Sequence, residues 1–96
     1  MTKEDPTFYK RADEHIRLSN TQVSKEIHRG MVSSSFLYSA ARFNAYVSAS
    51  NFNSSKELIE AKEATMAFFM KEYKYMLEEN MDDYILNFSK YLKPRN

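Results

Sequence analysis

In a chain of 96 residues the backbone meets one glycine, Gly30, and two prolines, Pro6 and Pro94. Sheet proteins turn often, and their turns draw on glycine, proline and asparagine. No run of alternating apolar and polar residues bounded by such turns is present. Helical spacing runs through the chain instead, with no internal repeat and no low-complexity segment. The pattern predicts an all-α protein of one domain, residues 1–96: a three-helix up-down-up bundle with a kinked or broken helical C-terminal extension.

Helix boundaries follow from local signals. Asp5-Pro6 reads as a cap followed by proline at the first helical position. Phe8, Ala12, Ile16, Ser19, Val23 and Ile27 then keep helical spacing. Lys25, His28 and Arg29 suit a carbonyl end, and Gly30 suits the left-handed residue after it. The first helix is expected over residues 6–28. The second, expected over 34–51 with Ser33 or Ser34 as cap, carries Phe36, Ala40, Phe43 and Val47 on one stripe and Ala41, Ala45 and Ala49 opposite. Ser54-Ser55-Lys56-Glu57 reads as a capping box that opens a third helix over 55–79. Its stripe is Leu58, Met66, Phe69, Tyr73, Met76, Leu77 and Asn80, with Lys62 snorkelling at one end. Asn80 followed by Asp82-Asp83 has the chemistry of a new start. A kink or break is therefore expected near residue 80, with a last helix over 81–92 closed by Pro94.

Composition removes several function classes. Without cysteine there is no disulfide, thiolate nucleophile or cysteine-bound metal. No apolar run approaches the roughly 20 residues of a membrane span, and the N-terminus has no signal-peptide core. These features predict a cytoplasmic protein with no membrane partner. The net charge of +1 gives no general argument for nucleic acid, and the acidic stretch 54–83, with four Lys/Arg against eight Asp/Glu, argues against a positive groove. No nucleic-acid partner is expected.

Catalytic constellations are also missing. Di-iron bundles need Glu-x-x-His pairs, and neither His15 nor His28 follows a glutamate by three residues. A lone histidine without a placed nucleophile supports no mechanism. There is no G-x-S-x-G turn around Ser33, Ser34 and Ser35, and one glycine cannot make a phosphate loop. The reading is no enzyme, no catalytic residue, no cofactor and no metal.

Two groups of residues remain. Asn44, Arg42 and Asn80 sit on or beside apolar faces and are expected to be buried polar residues, Asn44 hydrogen-bonded. Arg42 or Arg11 is expected to pair with Asp13 or Asp83 on another helix. At 1.5 Å per residue the segment 55–79 runs roughly 37 Å, which already matches the first two helices. Everything beyond it overhangs the bundle, yet carries Met81, Tyr84, Ile85, Phe88, Tyr91 and Leu92 on one side. An exposed apolar patch of that kind marks an interface. A two-fold homodimer would cover it with itself.

Three segments carry a family resemblance: FYKRADEHIRLSN (Phe8–Asn20), SSFLYSAARFNAYV (Ser34–Val47) and YKYMLEENMDDYILNF (Tyr73–Phe88). The sharpest pieces are Phe8-Tyr9 with Arg11-Ala12-Asp13, Ala41-Arg42-Phe43-Asn44, and Glu79-Asn80 with Asp82-Asp83-Tyr84. Together they resemble a family of small bacterial proteins catalogued as domain of unknown function 3144, over roughly residues 7 to 92. The resemblance implies a bacterial source and a compact helical protein, and it assigns no activity and no functional residue. The function read from the residues is a small non-catalytic interaction module, a homodimer with no identified ligand. The alternative is a small-molecule-binding helical protein with a pocket near Asn44.

Overall fold

The structure is a computed structural model that describes residues 5–93; Pro94, expected to close the last helix, lies outside them. Among the described residues there are four helices and no strand: α1 (Phe8–Gln22), α2 (Arg29–Ala49), α3 (Ser55–Leu86) and α4 (Phe88–Tyr91). The chain divides into two compact units between Val47 and Ser48.

In the first unit the entry to α1 is built by Asp5. Its side chain accepts from the Thr7 amide at 3.3 Å and the Thr7 hydroxyl at 3.1 Å, and its carbonyl accepts from the Phe8 amide at 3.1 Å. Asp5 and Pro6 thus form a turn ahead of the helix rather than its cap and first residue. The expected helix over 6–28 stops at Gln22. Val23 is extended, with φ −72° and ψ 131°. Ser19, Asn20 and Thr21 precede it, and short polar side chains compete with the helical ladder for backbone groups. Thr21 Oγ1 donates to the Leu18 carbonyl at 2.6 Å. Ser24 then closes its own turn: its amide donates to the Ile27 carbonyl at 2.9 Å, and its hydroxyl accepts from the Ile27 amide at 3.2 Å.

Gly30 is not a left-handed terminator. No glycine has positive φ, and Gly30 lies in the first turn of α2, where the His28 carbonyl accepts from the Met31 and Val32 amides at 3.0 and 3.3 Å. The helix starts at Arg29, ahead of the serine cluster. The physical reason is Val32, four residues before Phe36. Winding the helix back through it extends the apolar stripe, and Val32, 5% exposed, is the buried hydrophobic residue among those described. The serines become interior residues. Ser35 Oγ donates to the Val32 carbonyl at 3.0 Å, and Ser39 Oγ to the Ser35 carbonyl at 2.8 Å. The rings of His15 and Phe36, 6.2 Å apart, bring α1 against α2.

The second unit opens as expected. The Ser54 hydroxyl accepts from the Glu57 amide at 3.2 Å, and Glu57 Oε1 accepts from the Asn53 amide at 2.9 Å. α3 then runs 32 residues, about 48 Å at the standard rise. It passes through residue 80 without a break. Asn80 Nδ2 donates to the Met76 carbonyl at 2.7 Å, so its side chain is engaged one turn back and does not cap a new helix. The interruption comes at Asn87, with φ −115° and ψ 30°. Its amide and its Nδ2 both reach the Asp83 carbonyl, at 2.9 and 3.2 Å. The expected last helix over 81–92 is therefore divided: 81–86 belong to α3, and α4 covers Phe88–Tyr91 alone.

Candidate interaction surface

The C-terminal residues singled out from the sequence stand on the end of α3, on α4 and just after it. Met81, Tyr84, Ile85, Phe88, Tyr91 and Leu92 are all exposed, from 43 to 69%. Met81, Tyr84 and Ile85 share one face of α3 at 100° per residue. The bend at Asn87 brings the Tyr91 ring to 5.2 Å from that of Tyr84, edge to face, and Lys90 Nζ lies 5.8 Å from the Tyr91 centroid.

Asp83 organises this end of the molecule. Its Oδ1 accepts from Asn87 Nδ2 at 2.8 Å. Its negative charge also holds the Tyr91 hydroxyl above its ordinary pKa, with desolvation and a hydrogen-bonding contribution from Asp83 acting in the same direction. A carboxylate beside a phenol favours the neutral phenol. Asp83 thus ties both the break and the helix after it to the last turns of α3.

The residues expected to be buried and polar are not buried. Asn44 is half-buried, while Arg42 and Asn80 are exposed. On α2 the buried and half-buried positions are Val32, Asn44, Ser48 and Ala49. Phe43, beside Asn44, is 63% exposed. No buried polar residue occurs among those described. Asn80 satisfies its amide on its own helix. The rings of Phe43 and Tyr46, 6.2 Å apart and both exposed, do not enclose Asn44.

The ion pair among the described residues is also local. Arg11 pairs with Asp5, not with Asp13 or Asp83, and its Nη1 donates to Thr7 Oγ1 at 2.7 Å. The guanidinium beside it, chiefly by its hydrogen bond, holds the Asp5 carboxyl below its ordinary range. Arg11 lies one turn into α1 and finds its acceptor in the preceding turn, so no other helix is needed. Among the described residues no group of three or more His, Asp or Glu could hold a metal ion. No described helix is long and apolar enough to cross a membrane.

Sequence reasoning missed part of the exposed apolar surface. Ile59, Met70 and Leu86 are among its most exposed members, and none was on the expected stripe. The half-buried line of α3 is Leu58, Ala61, Thr65, Phe69 and Glu72. A second line, turned from it by about 100° at the helical repeat, holds Met66, Tyr73, Leu77 and Tyr84. The signal was present in the spacing, but a single stripe was drawn through both lines.

Comparison with known proteins agrees with an all-helical chain. The profile of a family described as "Protein of unknown function (DUF3144)" matches residues 8–85. A solved structure described as "NMR structure of the protein NB7890A from Shewanella sp" is similar, with 42% sequence identity and a TM-score of 0.76 over 88% of each chain. No curated protein matches.

Proposed function

The chain belongs to the DUF3144 family of proteins of unknown function, and from that premise we propose that it is a non-catalytic interaction module that works as a homodimer. One observation carries the reading: six large side chains at the C-terminal end, Met81 to Leu92, stand 43 to 69% exposed. Fully burying such side chains contributes roughly 1.5–3 kcal/mol each before entropy. A patch of that size is unusual on a soluble monomer, and two-fold pairing lets the patch cover itself.

In this reading residues 1–96 act as one domain. α1, α2 and α3 run up, down and up, and the connectors at 23–28 and 50–54 are short enough to favour antiparallel neighbours. α4 is the bent extension. The protein works in a bacterial cytoplasm, without cofactor, nucleic acid or membrane.

Light scattering tests the reading. The intact chain at micromolar concentration is expected to have twice the 11.3 kDa of one copy. Phe88→Asp, which places a charge in the patch, is expected to be monomeric with unchanged helix content. A monomeric mass for the intact chain overturns the proposal.

A further inference from the structure

The exposed line of α3 has a regular spacing. Met66, Met70, Tyr73, Leu77, Asn80 and Tyr84 follow one another by four, three, four, three and four residues. That alternation is the seam of a coiled coil, the spacing that keeps one helix face toward a partner helix. The five apolar members are 47 to 68% exposed, and Asn80 is exposed as well. The half-buried line Leu58, Ala61, Thr65, Phe69 and Glu72 lies on a different side, so the seam is a second and separate apolar face of the same helix. Lys62 and Glu63 end the pattern one turn before Met66.

We propose that this seam packs in parallel and in register against α3 of a second copy, with Asn80 facing its own counterpart. The inference rests on the homodimer reading and deepens it by naming the helix, the direction and the register.

Three features point to a second copy. Tyr84 belongs to both the seam and the C-terminal patch, so the two surfaces are continuous. Seam and patch together expose ten large side chains between Met66 and Leu92, an apolar surface that a second copy of the same face can cover. The acidic residues Glu78, Glu79 and Asp82 lie on the outer side of the helix at 100° per residue and Asp83 flanks the seam, so none of the four stands within it.

Asn80 selects the direction. One Nδ2 hydrogen of Asn80 is engaged by the Met76 carbonyl, which leaves a second N–H and Oδ1, so two such carboxamides facing each other can donate and accept across the seam. Parallel, in-register packing sets Asn80 against Asn80. Packing out of register, or antiparallel packing about any other point, sets it against an apolar side chain and leaves a polar group unmatched. Polar residues within such seams fix register at a cost in stability.

The cysteine-free chain permits a clean test. Helix axes about 8–10 Å apart, with Cα atoms about 2.3 Å off axis, bring facing Cα atoms within disulfide range. The variants Met70→Cys, Leu77→Cys and Glu78→Cys are made in the full chain and oxidised with copper phenanthroline. Each is read by non-reducing electrophoresis beside light scattering. Parallel pairing predicts that Met70→Cys and Leu77→Cys both shift from one-chain to two-chain mass, while Glu78→Cys, on the far side, stays at one. Antiparallel pairing cannot link both seam positions: with Leu77 at the two-fold, the two copies of residue 70 stand about 21 Å apart along the axis. A dimeric chain that links at only one seam position, at neither, or equally at Glu78 overturns the parallel seam and leaves the homodimer reading intact. A monomeric chain overturns both. Asn80→Leu is expected to lose the single register, giving mixed masses by light scattering; an unchanged dimer overturns the role given to Asn80.

Discussion

The stretch from Phe8 to Val47 and the stretch from Ser48 to Lys93 are of similar length and both helical, yet they treat their apolar side chains differently. The first is interrupted. α1 stops at Gln22, the chain bends through Ser24–Ile27, and α2 meets α1 where the rings of His15 and Phe36 stand 6.2 Å apart. The second is one uninterrupted helix of 32 residues with a four-residue appendage, and α3 has no buried side chain. A helix cannot cover its own face. It needs a turn that returns a second helix, or it needs another molecule. The short polar residues that end α1 make a contact inside the unit possible. Nothing of that kind interrupts α3 before Asn87, and its apolar faces stay exposed.

The sharpest way to break this comparison is at Val32. Val32→Asp should cost about 3 kcal/mol or more, since it forfeits the roughly 1.5–3 kcal/mol of burying valine and places a carboxylate in its site. Urea unfolding followed by far-ultraviolet circular dichroism reads the loss. A cost under about 1 kcal/mol, the scale of an ordinary surface change, would mean that the first stretch is no better packed than the second.

A smaller effect sharpens the other half. Ser54→Ala removes the hydroxyl that caps α3 and should cost about 1 kcal/mol by the same titration. The loss should persist when Glu57 is left in place, because Glu57 bonds the Asn53 amide and cannot replace the serine oxygen.

The smallest expected effect is at the C-terminus. The Tyr91 pKa is raised in the folded chain, chiefly by the charge of Asp83. Folding therefore favours the protonated phenol. The contribution is fully present below the ordinary tyrosine pKa near 10 and is lost as pH rises through the folded value. Alkaline titration by tyrosinate absorbance should show one late-titrating tyrosine, absent in Asp83→Asn. Loss of the late component without the Asp83 change would place the cause elsewhere.

The helical class was legible because it depends on many residues at once. The start of α3 was legible as well, since Ser54 and Glu57 stand at the spacing that reciprocal capping requires. Individual boundaries elsewhere turned on competition that spacing alone does not resolve. Asn80 and Asn87 both follow an acidic residue within a few positions, and both bond a carbonyl four residues back. Only at Asn87 does the backbone leave the helix. Gly30 suits a helix end by its freedom, but Val32 gives a stronger reason to wind through it. The C-terminal side chains from Met81 to Leu92 are exposed, where helical spacing placed an apolar face. The burial expected of Asn44, Arg42 and Asn80 was not realised, because an apolar neighbour at helical spacing does not by itself bury a polar side chain.

The side-chain hydrogen bonds described here close over short stretches of chain: two residues at Asp5, three at Ser54, four at Asn80 and Asn87, six between Arg11 and Asp5. Folding rate is governed largely by how far along the sequence partners must be brought together. Helical segments of this size equilibrate with coil in about 0.1–1 μs. The winding of α3 therefore belongs to the fast end of folding. In the proposed homodimer the slow step would be encounter, whose pace is set by how many chains share the solution.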